Sequence, residues 1–165
     1  GRSFVQPLYQ NKRSLDYLWQ GIGLYLQKNT DVRYLFGPVS ISQSVPDDAK
    51  SLMIDFYSRW FAPYQSIAIA KTPYPMNMQE AALNREQYQD YRQAFKQLKQ
   101  EMQQLGGFIP PLYKQYTELC ESGGVQFTAF NIDADFANCV DGLIVVDLAK
   151  VKPHKRLRYL NPSKC

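Results

Sequence analysis

The chain has 165 residues, enough for one domain with a real core, and its 45% hydrophobic and 14% aromatic content excludes a disordered segment. The formal charge of +4 is spread over loops and the C-terminal stretch, which permits an anionic partner but is no nucleic-acid signature. Cys120, Cys139 and Cys165 are odd in number and lack CxxC spacing, so no disulfide framework is expected and a reducing compartment fits. No apolar run approaches the ~20 residues of a spanning helix.

Taken in order, Ser14 is placed to cap a helix in which Leu15, Leu18, Trp19, Ile22 and Leu26 recur at helical spacing. Arg2, Lys12 and Arg13 lie ahead of that start, where unpaired N–H groups and the helix dipole favour a phosphate. Gly21 and Gly23 each cost about 1 kcal/mol relative to alanine, so close approach to a strand or ligand is expected there. Tyr34, Leu35, Phe36, Val39 and Ile41 then form an apolar run too short for a helix and read as a buried strand. Gly37-Pro38 is expected to interrupt its ladder and open a gap, with Ser40 and Ser42 on one face.

Asp47 or Asp48 caps the next helix, whose Ala49, Leu52, Met53, Phe56, Tyr57 and Trp60 make one apolar face. Pro63, Pro73 and Pro75 mark an irregular connection over 61–78. The longest helix is expected over 80–105, where Tyr88, Tyr91, Phe95, Leu98, Met102 and Leu105 form an a/d seam. That seam packs within its own domain, or it covers an acyl chain or meets a partner subunit, as in a homodimer. Pro110-Pro111 open a short helix through Leu112, Tyr116 and Leu119 that Gly123-Gly124 close. Segments 125–132 and 142–148 read as an antiparallel pair of strands, the second apolar enough to be central. Lys150, Lys152, His154, Lys155, Arg156, Arg158 and Lys164 then make a basic tail, either solvated or resting on anionic lipid.

The blocks GRSFV, LDYLWQGIGLYL, RYLFGPVSIS and FNIDADFANCVDGLIVVDL resemble the hemolysin-named group of GNAT-superfamily acyltransferases. That group includes the ornithine N-acyltransferases of bacterial ornithine-lipid synthesis and is distantly similar to acyl-homoserine-lactone synthases. The resemblance covers most of the chain in scattered blocks. It implies an α/β (α+β) class: a GNAT-like open mixed sheet with packing helices and a long amphipathic helix. Members carry further strands and an acidic residue ahead of the GRS block, so residues 1–165 are expected to be a single partial domain from the C-terminal part of a larger protein. The implied activity is transfer of a long-chain, 3-hydroxylated acyl group from acyl-carrier protein or acyl-coenzyme A to the amine of an amino acid such as ornithine. The implied place is membrane lipid synthesis, in the cytoplasm or peripherally on the inner face of the membrane. No metal, and no cofactor beyond the donor, is expected. The alternative is a non-catalytic module that docks a partner or a membrane.

Acyl transfer from a thioester needs an amine deprotonated, a donor for the oxyanion and a proton for the leaving thiolate, without a covalent nucleophile. Arg2 and Ser3 match the GRS block, and the resemblance implies a place beside the donor, Arg2 contacting an anion or the acceptor carboxylate. Arg13 and Ser14 are donor-phosphate candidates because they flank a helix start, and Ser40 and Ser42 because N–H groups freed at an interrupted ladder suit a pantetheine arm. Asp133, Asp135 and Asp141, with Asn138 among them, crowd the final turn. Crowded carboxylates can hold a base near neutrality, a role given to Asp133 and Asp135, while Asn138 and Asp141 are acceptor contacts. The competing reading is that Asp and Asn simply form a good turn.

Overall fold

Residues 6–9, 13–76 and 90–160 are described by the structure, a computed structural model, and the chain divides into two compact units. The larger unit is Tyr34–Lys150, and the smaller joins Gly1–Arg33 to Val151–Cys165.

In the larger unit, three segments rich in β-branched and aromatic residues form strands β1 (Tyr34–Ile41), β2 (Val125–Asp133) and β3 (Cys139–Asp147). Both pairings are antiparallel and the order is β1-β3-β2, so β3 is central as its apolarity predicts. Ala137 and Asn138 close the β2–β3 connection in left-handed conformations, φ 49° and 52°. The expected interruption in β1 is absent: Gly37 pairs with Ile144 and Pro38 with Leu143 in unbroken register. Pro38 is tolerated because β1 lies at the edge of the described sheet, where one side of a strand need not donate to a ladder. The irregularity falls instead in β2, between Phe127 and Ala129, where Thr128 Oγ1 donates to the Leu143 carbonyl (3.2 Å). The connection after residue 60 is irregular as expected, yet it follows β2: Phe127 N–H donates to Phe61 O (2.8 Å), Tyr74 N–H to Phe130 O (3.1 Å) and Ile132 N–H to Thr72 O (2.8 Å).

Helix α1 (Ser14–Lys28) belongs to the smaller unit; α2 (Asp47–Trp60), α3 (Tyr91–Gln104) and α4 (Pro111–Thr117) belong to the larger. Asp47 and Asp48 sit in the first turn of α2 behind Pro46, and Asp47 receives the buried Lys50 ammonium at 2.9 Å. Helix α3 starts later than the seam predicts, because Asp90 stands in extended conformation and accepts from Gln93 N–H (3.3 Å) as a true N-cap. Tyr88 and the rest of 77–89 lie outside the described residues. The 15-residue α1, not α3 with 14, is thus the longest described helix. The seam does pack within its own unit: Phe56 of α2 meets Tyr91 and Phe95, each at 5.9 Å, and Trp60 meets Tyr91 at 5.5 Å. In α4 the buried residues are Tyr113 and Thr117, while Leu112 is exposed and Leu119, just past the helix end, is buried. Tyr57, Tyr113 and Phe127 close the core with ring centroids 5.0–5.2 Å apart. The fully buried Tyr57 hydroxyl has no hydrogen-bond partner among the described residues.

In the smaller unit, Arg13 occupies the N-cap position without a side-chain cap bond, and the Ser14 hydroxyl donates backwards to the Tyr9 carbonyl instead of capping. The described part of the basic tail is folded, with its charged side chains still exposed or half-buried: Pro153–Lys155 runs into a π-helical turn, Arg156–Leu160, that packs on α1. Trp19 meets Tyr159 at 5.8 Å, Asp16 accepts from the Tyr159 hydroxyl (2.9 Å) and pairs with Arg158, and Gln27 Nε2 donates to Leu160 O (2.8 Å). A Cβ on Gly23 would lie 1.6 Å from the Tyr159 carbonyl oxygen, whereas one on Gly21 would meet nothing within 4 Å. Close approach therefore explains Gly23 but not Gly21, and the neighbour is the C-terminal turn rather than a strand.

Gly23→Ala is expected to displace that turn and cost about 1–3 kcal/mol, while Gly21→Ala, in open space, should stabilise by up to about 1 kcal/mol. Urea titrations followed by Trp19 emission in a Trp60→Phe background compare the two; equal midpoints would remove the close packing at Gly23. Burial opposes ionisation of Asp16, but hydrogen bonds from Tyr159 and Arg158 and the charges of Arg158 and Lys155 outweigh it, holding the carboxyl below its ordinary range. Because the folded value is the lower one, this stabilisation is complete above the unfolded value, near pH 4, and is lost as pH falls through the folded value. Acid titration should therefore loosen the turn below about pH 4, and Asp16→Asn should abolish that limb of the Trp19 signal.

Candidate functional site

Strand pleating puts directly opposed residues on one face, and the register opposes Ser40, Asp141 and Asn131 across all three strands. The result is a polar row across a sheet that is otherwise apolar at its centre. Ser40 Oγ donates to Asp141 Oδ1 at 2.5 Å. Asn131 is fixed at the far end, its Oδ1 accepting from Thr72 N–H (2.7 Å) and its Nδ2 donating to Ile132 O (2.9 Å). Asp141 is thus a half-buried carboxylate on the central strand, oriented by a hydroxyl.

The opposite face fixes the neighbouring rung, Val39–Gly142. Tyr113 is fully buried, stacks on Phe127 with planes 5° apart and donates to the Val39 carbonyl (2.8 Å), next to Ser40. Gly142, next to Asp141, makes room: a Cβ there would lie 2.8 Å from the Tyr113 hydroxyl and 2.9 Å from Phe130. Burial above all, and then the Asp141 charge, pushes the Tyr113 phenol far up, against the opposing hydrogen bond of the Gly142 backbone. Tyr113 therefore remains a hydrogen-bond donor at working pH and keeps β1 and β3 in fixed relation beside the Ser40–Asp141 rung.

The predicted residues are placed as follows. Ser40 and Asp141, assigned to different substrates on sequence grounds, touch. Asp141 lies within β3, not in the turn. Asp133 ends β2 and its Oδ1 accepts from Asp135 N–H (3.0 Å), so this pair builds the turn, and Asn138 serves it through its left-handed backbone. Ser42 lies beyond β1 with its hydroxyl 2.9 Å from that of Ser44. Arg13 and Ser14 stand at the start of α1 in the smaller unit. Arg2 and Ser3 lie outside the described residues. Sequence reasoning missed Tyr113, Asn131 and Gly142; a glycine inside an otherwise apolar strand was the available signal for a side chain approaching from a neighbouring element. Among the described residues, no three His, Cys, Asp or Glu side chains gather as a metal-ligand set.

Over 168 aligned positions, 97% of this chain, the sequence is 26% identical to a glycine N(alpha)-acyltransferase of Phocaeicola vulgatus. A glycine N(alpha)-acyltransferase of Bacteroides thetaiotaomicron matches over the same share at the same identity. Both relatives are acyltransferases. The chain spans about half the length of each, 51% and 49%. No protein-family model and no solved structure matches the chain.

Gly142→Ala should force Tyr113 off the Val39 carbonyl and cost about 1–3 kcal/mol. Tyr113→Phe, which leaves that buried acceptor without its partner, should cost a similar amount, about 1–3 kcal/mol. Since the two act on one contact, the double variant should cost less than the sum of the singles in chemical denaturation. Strict additivity would show that the glycine serves something else.

Proposed function

We propose that the chain forms the acceptor-handling part of an N-acyltransferase that joins a long-chain acyl group to the α-amine of a small amino acid. The observation that carries this reading is the similarity of 97% of the chain to two proteins named glycine N(alpha)-acyltransferase. Those names favour glycine over ornithine as acceptor. The donor is an acyl thioester of coenzyme A or of acyl-carrier protein, and the product, an N-acyl amino acid, belongs with membrane lipids.

Asp141 is the base in this scheme, because it is the carboxylate that a neighbouring hydroxyl orients on the central strand. It takes one proton from the acceptor ammonium, and the freed nitrogen lone pair attacks the thioester carbonyl carbon. A C–N bond forms and the C–S bond breaks. The sulfur leaves as a thiolate and takes up the second proton released by the nitrogen. Ser40 positions the carboxylate, while Asp133, Asp135 and Asn138 shape the end of the hairpin nearby in sequence. Arg13 and Ser14 are assigned to the donor phosphate within their own unit.

The test is N-acyl amino acid formation from glycine and from ornithine, with acyl-coenzyme A and with acyl-carrier protein. It is run on the 165-residue chain and on the longest reading frame that contains it. Asp141→Asn should lower kcat by about 10²-fold or more, with secondary structure and melting transition preserved. Wild-type turnover in that variant would remove Asp141 as the base. Absence of product from both acceptors and both donors, in both proteins, would remove the acyl-transfer reading.

A further inference from the structure

We infer that the smaller unit carries a surface that lies on an anionic lipid bilayer, with helix α1 in the plane of the interface. The C-terminal turn covers only the side of α1 that bears Trp19, Gly23 and Leu26. On the other side Tyr17 (58% exposed), Leu18 (45%), Leu24 (53%) and Tyr25 (60%) stand open. At 100° per residue these four fall in one strip about a third of the circumference wide, with Gly21 and Lys28 between them. A helix that is apolar on both sides is built to be buried on both, and a contiguous exposed strip of this kind marks an interaction surface.

Charge identifies the occupant. The unit Gly1–Arg33 with Val151–Cys165 holds ten Lys and Arg against two Asp, a formal +8, while Tyr34–Lys150 carries nine against thirteen, a formal −4. The chain's modest +4 thus conceals a strongly basic unit. One of its two acids, Asp16, is already engaged by Arg158 and Tyr159. Packing of the turn on α1 seats Arg158 on Asp16, the residue before Tyr17, and holds the Lys155 ammonium 5.9 Å from the Tyr159 ring centroid. Two tyrosines on the strip suit the headgroup level, where an amphipathic ring keeps its hydroxyl wet and buries its face. A single convex helix also fits a fluid surface better than a protein partner, which would have to supply a matching groove. No described helix is long and apolar enough to cross a membrane, so the contact is interfacial.

This inference is independent of the reaction. Its test is flotation of the 165-residue chain with vesicles of phosphatidylcholine alone and of an equal mixture of phosphatidylcholine and phosphatidylglycerol. Binding is expected to the mixed vesicles only and to weaken with added salt. Lys152→Gln and Lys155→Gln should each weaken it about fivefold, and Tyr17→Ser with Leu24→Ser should abolish it while leaving Trp19 emission and the melting transition unchanged. Tyr25→Trp, in a background lacking the other two tryptophans, should shift to the blue when mixed vesicles are added. Equal binding to both vesicle types, wild-type binding by the Tyr17/Leu24 variant, or no binding to either vesicle would each overturn the proposal. A dimer lost in the Tyr17/Leu24 variant, or capture of acyl-carrier protein by the strip without vesicle binding, would assign the face to that partner instead.

Discussion

The missing side chain at Gly142 is the constraint from which the larger unit is built outward. Because that position on the central strand has no Cβ, the Tyr113 ring can press flat against Phe127 and carry its hydroxyl to the Val39 carbonyl. One phenol thereby ties a short helix, the middle strand and the edge strand together. Tyr57 then closes on the same stack from α2, and Phe56 passes the packing on to α3. Removing any of these rings opens a void that its rigid aromatic neighbours cannot collapse into.

The same contact sets the chemistry of the opposite face. A side chain at position 141 is only as well placed as its strand, and one residue away, at Gly142, that strand packs against the Tyr113 hydroxyl, itself hydrogen-bonded to Val39 on β1. Ser40 adds a second constraint from β1, so the carboxylate is held by backbone and hydroxyl together. Preorganisation of this kind is what proton transfer needs, since a base that must search for its orientation spends part of its advantage on ordering. In the turn, the Asp133 carboxylate accepts from the Asp135 N–H and Asn138 contributes a left-handed backbone.

Local pattern made the strands legible. The segments 125–132 and 142–148 read as an antiparallel pair with the more apolar one central, and both are found. The open sheet with packing helices is the α/β arrangement that the resemblance implied. Position across strands was not legible. Ser40 and Asp141 are a hundred residues apart, and only the β1–β3 register shows that they touch. Helix phase was legible only in part: of Leu112, Tyr116 and Leu119, Leu119 is buried and Leu112 exposed, and within α4 the residues inside are Tyr113 and Thr117. The basic tail was legible only in part. Its charges do keep solvent contact, but the packing of the single tyrosine among them, Tyr159, on Trp19 and into the space left by Gly23 depends on a partner far off in sequence.

The strand margins carry one more consequence. Along β2 the N–H groups of Phe127 and Ile132 and the carbonyl of Phe130 are engaged by the 61–74 segment, and β1 presents Pro38, which has no N–H to offer, midway along its length. Neither margin of the described sheet is therefore a good template for a further strand from another chain. At the high local concentrations near a ribosome, such margins would deter copies from stacking edge to edge into insoluble ribbons. An irregular loop and one proline that breaks no pairing thus act as a guard on solubility, with no part in the reaction.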